Sequence, residues 1–230
     1  MEALQNFWDS LTSQLAYLGS LGVNMLPGVQ YTIGLFAITV LLSIPLGLGL
    51  ALLRNSRVRA LKGLTGFYVW IMRGTPLLLQ LFFFYFGLTF IPVIGPYLAM
   101  GRFQAACVTF VLNYAAYFCE IFRGGILSVE KGQYEAAQVL GFSKWQTNLK
   151  IVFPQMLKVS LPAVSNECIT LVKDTALITA IGVTEILYFA KSAVNRDVDV
   201  SAYAIAAIIY LIMTYGLTKL FNWLEKKFNY

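Results

Sequence analysis

Residues 29–53 run for 25 positions without a charged side chain. About 20 mostly apolar residues are what a helix needs to cross the hydrocarbon of a bilayer. Backbone groups there must be paired within the segment, so an uncharged run of this length is read as a spanning helix. Pro45, Gly47 and Gly49 lie inside it, and membrane helices tolerate both residue types. The pattern recurs along the chain. A second span is expected over 75–90, opening at the Arg73-Gly74-Thr75-Pro76 break, because proline favours a helix start and its predecessor leaves the helical region. Val58–Met72, just before it, is expected to lie as a shallow helix at the inner surface. Further spans are expected over 103–122, 161–186 and 202–221. The expectation is an all-α membrane protein with five transmembrane helices, one domain over 1–230, and termini on opposite sides.

Composition agrees, with 58% hydrophobic and only 12% charged residues, where soluble domains average about 25% charged. Placement of the charges sets the orientation, since cytoplasmic segments collect Lys and Arg. With the N-terminus outside, the inner segments hold thirteen basic residues and the outer ones only Arg102, Lys191 and Arg196. The C-terminus is then cytoplasmic, where Trp223 and Tyr230 suit an interfacial belt. The net charge of +6 reads as insertion bias and contact with anionic lipid, not nucleic-acid binding. The chain has no His, which removes His-containing metal sites, Ser-His-Asp triads and His proton relays. Cys107, Cys119 and Cys168 read as small core residues. No phosphate-binding G-x-x-x-x-G-K-[ST] loop occurs, so the chain carries no P-loop of its own.

Residues 123–158 are too charged to span and form the one long cytoplasmic connection. Tyr134–Leu140 reads as a short helix, with Gly132 ending the preceding element and Gly141 at its C-terminal stop. Ala136 and Ala137 lack bulk, so another protein could approach closely, whereas the competing reading is a loop resting on lipid headgroups. The order Glu135-Ala136-Ala137, Gly141, Ile151-Val152-Phe153-Pro154 resembles the EAA loop of ABC importer permeases, with Phe153 where Leu is usual. Arg73-Gly74-Thr75-Pro76-Leu77-Leu78-Leu79-Gln80, the stretch from Tyr117 through Glu120 to Arg123-Gly124-Gly125-Ile126, and Lys173-Asp174-Thr175-Ala176-Leu177 resemble the polar amino-acid branch of that family. The resemblance covers about residues 20–222. It implies a type I importer fold in which two permease subunits line the pathway in a bacterial inner membrane. A cytosolic ATPase dimer, which binds ATP and Mg, would engage Glu135, Ala136, Ala137 and Gly141 as the coupling helix. An extracytoplasmic solute-binding protein would deliver the amino acid. No cofactor and no catalytic residue is implied for this chain.

The fourth span carries Asn166, Glu167, Thr170, Lys173, Asp174 and Thr175. At 100° per residue Glu167, Thr170 and Asp174 share a face, with Asn166 and Lys173 along its edge. A charge near the bilayer centre costs at least about 2.5–3.5 kcal/mol, so these residues are expected to face protein or a wet cavity. Two readings stand side by side: attraction of a substrate ammonium or cationic side chain by Glu167 and Asp174, with hydrogen bonds from Asn166, Thr170 and Thr175, or structural pairing of Lys173 and Asp174 with other helices. Glu167 tilts the first towards a cationic or amide amino acid. Gln80 is expected either in the pathway or in an interhelical hydrogen bond. Asn113, Tyr117 and Glu120, spaced four and three, share a face of the third span, where Glu120 and Arg123 can pair. Ionisable residues in a span would also suit a channel or an ion-coupled secondary transporter, but such proteins leave the EAA loop without a task.

Overall fold

The computed structural model describes residues 1–228, so Tyr230 lies outside the described residues. The described elements are helical throughout: α1 Glu2–Arg54, α2 Arg59–Gly74, α3 Leu77–Tyr85, α4 Arg102–Leu127, α5 Lys131–Val139, α6 Lys144–Thr147, α7 Phe153–Asp174, α8 Ile186–Asp197 and α9 Ser201–Phe228. Three of them, α1, α4 and α9, are long and apolar enough to cross a bilayer alone, and two bent pairs raise the number to as many as five.

Three span boundaries differ from expectation, each for a local reason. The first helix does not start at Val29 but runs unbroken from Glu2, with Pro27 and Pro45 inside it. Its 53 residues extend about 80 Å, far beyond a hydrocarbon core of about 30 Å. The second span is not one helix from Thr75 to Phe90. Helix α3 has only nine residues and meets α2 at 105°, so the stretch expected to lie shallow at the surface is half of a broken element. Pro76 stands just before α3 in extended conformation, with Thr75 also extended, as steric conflict with the proline ring requires. The fourth helix opens at Phe153, not at Leu161, and keeps Pro162 in its interior. It ends at Asp174, where the backbone tightens into a 3₁₀ segment, Thr175–Ile181, stopped by Gly182 at φ +75°. A 54° bend then leads into α8.

Helix α4 occupies the centre. Phe110, Phe118, Cys119 and its small residues Ala106 and Ala116 are buried against α1, α2, α3 and α7. Close helix approach depends on small residues, and Gly47 provides it. A β-carbon there would lie 2.6 Å from Phe118 Cβ and 3.0 Å from the Ala115 carbonyl. The earlier part of α1 serves a second core, where Leu21 and Met25 meet Ile186 and Ala190 of α8 and Ala202 and Ala206 of α9. Gly47→Val should therefore destabilise the folded chain by about 1–3 kcal/mol through overpacking. Gly49→Ala, which meets nothing within 4 Å, should leave thermal unfolding in detergent unchanged. Equal unfolding temperatures for the two variants would remove Gly47 as a contact determinant.

Candidate functional site

The break between α2 and α3 is held by amides. The Gln80 side chain donates to the Met72 carbonyl at 2.9 Å and to the Thr75 hydroxyl at 2.8 Å. Asn113 of α4 donates to the same Met72 carbonyl at 2.9 Å and to Gln80 Oε1 at 3.0 Å. Carbonyls freed by a break need such partners. Of the two expectations for Gln80, the structure thus shows the interhelical bond. Its amide is committed to the fold and it is not among the residues lining the cavity described next.

That cavity, about 200 Å³, is lined by Leu77 of α3, Asn113, Tyr114 and Tyr117 of α4, and Glu167, Thr170 and Asp174 of α7. The helical spacing expected to align Glu167, Thr170 and Asp174 does so. Tyr114 donates to Asp174 Oδ2 at 2.8 Å, whereas Glu167 accepts no hydrogen bond among the described residues. Asn166, Thr170 and Lys173 are exposed on the edge of α7. Arg73 stands beside the cavity, its guanidinium 5.2 Å from the centre of the Tyr117 ring, a cation–π contact. Arg73 received no role in the sequence reading beyond its motif. The signal available was its place at the last turn of a helix ending in Thr75-Pro76, which points the side chain at a break. Lower on α4, Glu120 pairs with Arg123 at 2.9 Å as expected, and also with Arg54 at the end of α1.

Glu185 was missed. Its carboxylate is fully buried, capping α8 through the Tyr188 N–H at 3.0 Å and accepting from Thr179 and from Tyr210 of α9 at 2.5 Å. It is the sole charged residue between Asp174 and Lys191, which was the available clue.

At the opposite end of α7, the short helix expected over Tyr134–Leu140 is α5, Lys131–Val139. Gly132 lies inside this helix and does not end the preceding element; that element, α4, is closed by Ser128. Gly141 takes φ +76°, its N–H reaching the Gln138 carbonyl at 3.0 Å while the Phe142 N–H reaches that of Ala137 at 2.9 Å. These are the two bonds of a Schellman stop, which glycine enters at least strain. Glu135 and Ala136 are exposed while Ala137 is buried. One turn of π-helix, Asn148–Val152, joins this region to α7.

The family model for the inner membrane component of binding-protein-dependent transport systems matches residues 43–230. The octopine transport system permease protein of Rhizobium radiobacter is 38% identical over 216 residues, covering 91% of this chain and 88% of that protein. The L-cystine transport system permease protein of Bacillus subtilis is 38% identical over 228 residues, covering 98% and 89%. A crystal structure of an amino acid ABC transporter with histidines superposes at TM-score 0.81 with 31% identity, over 94% of this chain and 97% of that one. A chain of the MetNI methionine ABC transporter in an inward-facing conformation, at 20% identity and TM-score 0.72 over 90% of this chain and 96% of that one, shares the fold. The chain belongs to the inner-membrane-component family of binding-protein-dependent transport systems, as the membrane-spanning permease, not the ATPase, of an ABC importer for amino acids.

Proposed function

We propose that this permease carries a polar amino acid, cationic or amide, through the cavity between α4 and α7, and that partner ATP hydrolysis drives it by alternating access. The observation that carries the reading is the meeting of Glu167 and Asp174 in one cavity with Tyr114, Tyr117, Asn113 and Thr170. An amino-acid ammonium needs an acceptor-only group, and Glu167 has its carboxylate uncommitted. The substrate carboxylate needs a cation, and Arg73 beside Tyr117 is placed to offer a planar fork of donors. Relatives named as arginine and glutamine permeases, both of Bacillus subtilis, fit a cationic or amide cargo.

Asn166, Thr170 and Lys173 are exposed on α7. Polar groups at membrane depth do not face lipid. In this reading they face a second permease subunit, identical or related, across a shared pathway. The segments read as inner hold thirteen basic residues and those read as outer only three, which supports an outside N-terminus and a cytoplasmic C-terminus in a bacterial inner membrane. There the exposed Glu135-Ala136 face of α5 would dock into an ATPase dimer, with Ala137 packed inward and the Gly141 stop setting the helix angle. A solute-binding protein would supply cargo on the other side.

The test is ATP-dependent uptake by the reconstituted complex, with its binding protein, over a panel of cationic, amide, acidic and apolar amino acids. Cationic or amide amino acids should be taken up best. Preferred uptake of acidic or branched apolar amino acids would overturn the substrate assignment.

A further inference from the structure

Between α5 and the turn that joins α1 to α2 lies a second cavity, of about 390 Å³, within the range of small-ligand sites, roughly 300–1,000 Å³. Asn55 and Arg57 line it from the α1–α2 turn, and Tyr134, Gln138, Lys144 and Asn148 from α5, α6 and the π-turn. With Thr147, which also lines it, two cations and five neutral hydrogen-bonding side chains converge there, and no carboxylate lines it. Among the described residues Asn55, Arg57, Tyr134, Gln138, Lys144 and Asn148 make no side-chain hydrogen bond or ion pair, while the Thr147 hydroxyl donates to the Ser143 carbonyl at 3.0 Å. A cluster that holds two cations and several neutral donors, and no carboxylate to neutralise them, suits an anion. Burial raises the Tyr134 hydroxyl above its ordinary range, so it stays a neutral donor at physiological pH.

The surroundings identify the source of that anion. Helix α2, which leaves this turn, exposes Leu64, Phe67 and Trp70, a face that in a membrane meets acyl chains. Its first turn carries Arg59 and Lys62. A cavity opening beside a lipid-facing helix on the basic side of the bundle is where an anionic headgroup is held by several cations at once. We propose that this cavity binds the phosphate headgroup of an anionic phospholipid. The lipid would wedge between the α1–α2 turn and the inner face of α5, stiffening the helix whose other face is proposed for ATPase docking. The placement on the cytoplasmic side rests on the orientation given above, whereas the anion site itself does not.

The test uses the full transporter complex, purified in mild detergent, stripped of lipid and titrated with phosphatidylglycerol, with phosphatidylcholine or with inorganic phosphate, bound lipid being counted by native mass spectrometry. One phosphatidylglycerol per permease should remain, and phosphatidylcholine should not. R57Q combined with K144Q should weaken retention about thirtyfold, five- to sixfold per charge removed. The charge-preserving pair R57K with K144R should retain it, which separates charge from folding. Equal retention by the neutral pair, or equal retention of phosphatidylcholine, overturns the proposal. Displacement of the lipid by millimolar inorganic phosphate would reassign the site to a soluble anion. Loss of the ATPase from the neutral pair, with lipid retention unchanged, would reassign it to a protein contact. Amino-acid uptake enters none of these readouts, so failure here and failure of the transport reading are distinguishable.

Discussion

Deleting Glu135–Gly141 should abolish both transport and co-purification of an ATPase while leaving the permease inserted in the membrane. The deleted residues carry none of the buried packing of α1, α4 and α7, which forms the main core. They contribute instead the exposed Glu135 and Ala136 and the Gly141 stop. A short helix on a rigid stop transmits force only while both are present, so uptake should fall to background. Point variants divide the effect. Ala136→Leu puts bulk on the exposed face and should weaken ATPase association with little change in thermal stability. Gly141→Val forces a branched residue into the left-handed region, costing about 1–2 kcal/mol locally, and should tilt the helix and reduce coupled ATP turnover. ATPase binding that survives the deletion unchanged would end the coupling assignment.

Neutralising Glu167 should give the largest loss of any single-atom change in the cavity. A hydrogen bond to a charged group contributes about 1.5–3 kcal/mol, so Glu167→Gln should raise the apparent KM for a cationic amino acid by roughly ten- to a hundredfold. Uptake of neutral amino acids should change less, and ATPase assembly not at all. Asp174→Ala is the informative companion. Asp174 already accepts from Tyr114 at 2.8 Å, so its loss should lower thermal stability as well as affinity, and Tyr114→Phe should reproduce only the stability part. If Glu167→Gln left uptake affinity unchanged for cationic and neutral amino acids alike, the ammonium would have to be held elsewhere.

How much of this was legible beforehand differs from element to element. Helix α4 was expected over 103–122 and runs Arg102–Leu127, because an apolar run bounded by a glycine and followed by charge has few alternatives. The α2–α3 break was visible in Gly74-Thr75-Pro76, but its depth was not. Whether such a break lies on the surface or inside the bundle depends on who satisfies its carbonyls, and the partner, Asn113, is 41 residues from Met72. From the sequence, α7 is expected to start at Leu161, because the charged and polar residues before it read as a loop. Those residues form the first turns of α7, which runs unbroken from Phe153 to Asp174. Glu185 escaped notice because a single carboxylate in an apolar segment has no local pattern. Its partners lie on α9 and the 3₁₀ segment.

The sequence by itself determined the class of protein, the family, the number of apolar segments, and the short helix and glycine stop at Gly141. These follow from hydropathy, spacing and backbone preference, which are properties of neighbouring residues. It also aligned Glu167, Thr170 and Asp174, since helical periodicity is local. Only the tertiary structure decided that these three meet Tyr114, Tyr117 and Asn113 across a cavity while Gln80 is withdrawn into a fold-holding network. It alone brought Arg57 and Lys144 to a shared cavity and Gly28 against the Glu185–Ile186 backbone, where a β-carbon would come within 2.6 Å. Such juxtapositions arise from how helices cross and bend, and those angles are set by packing between residues far apart in the chain.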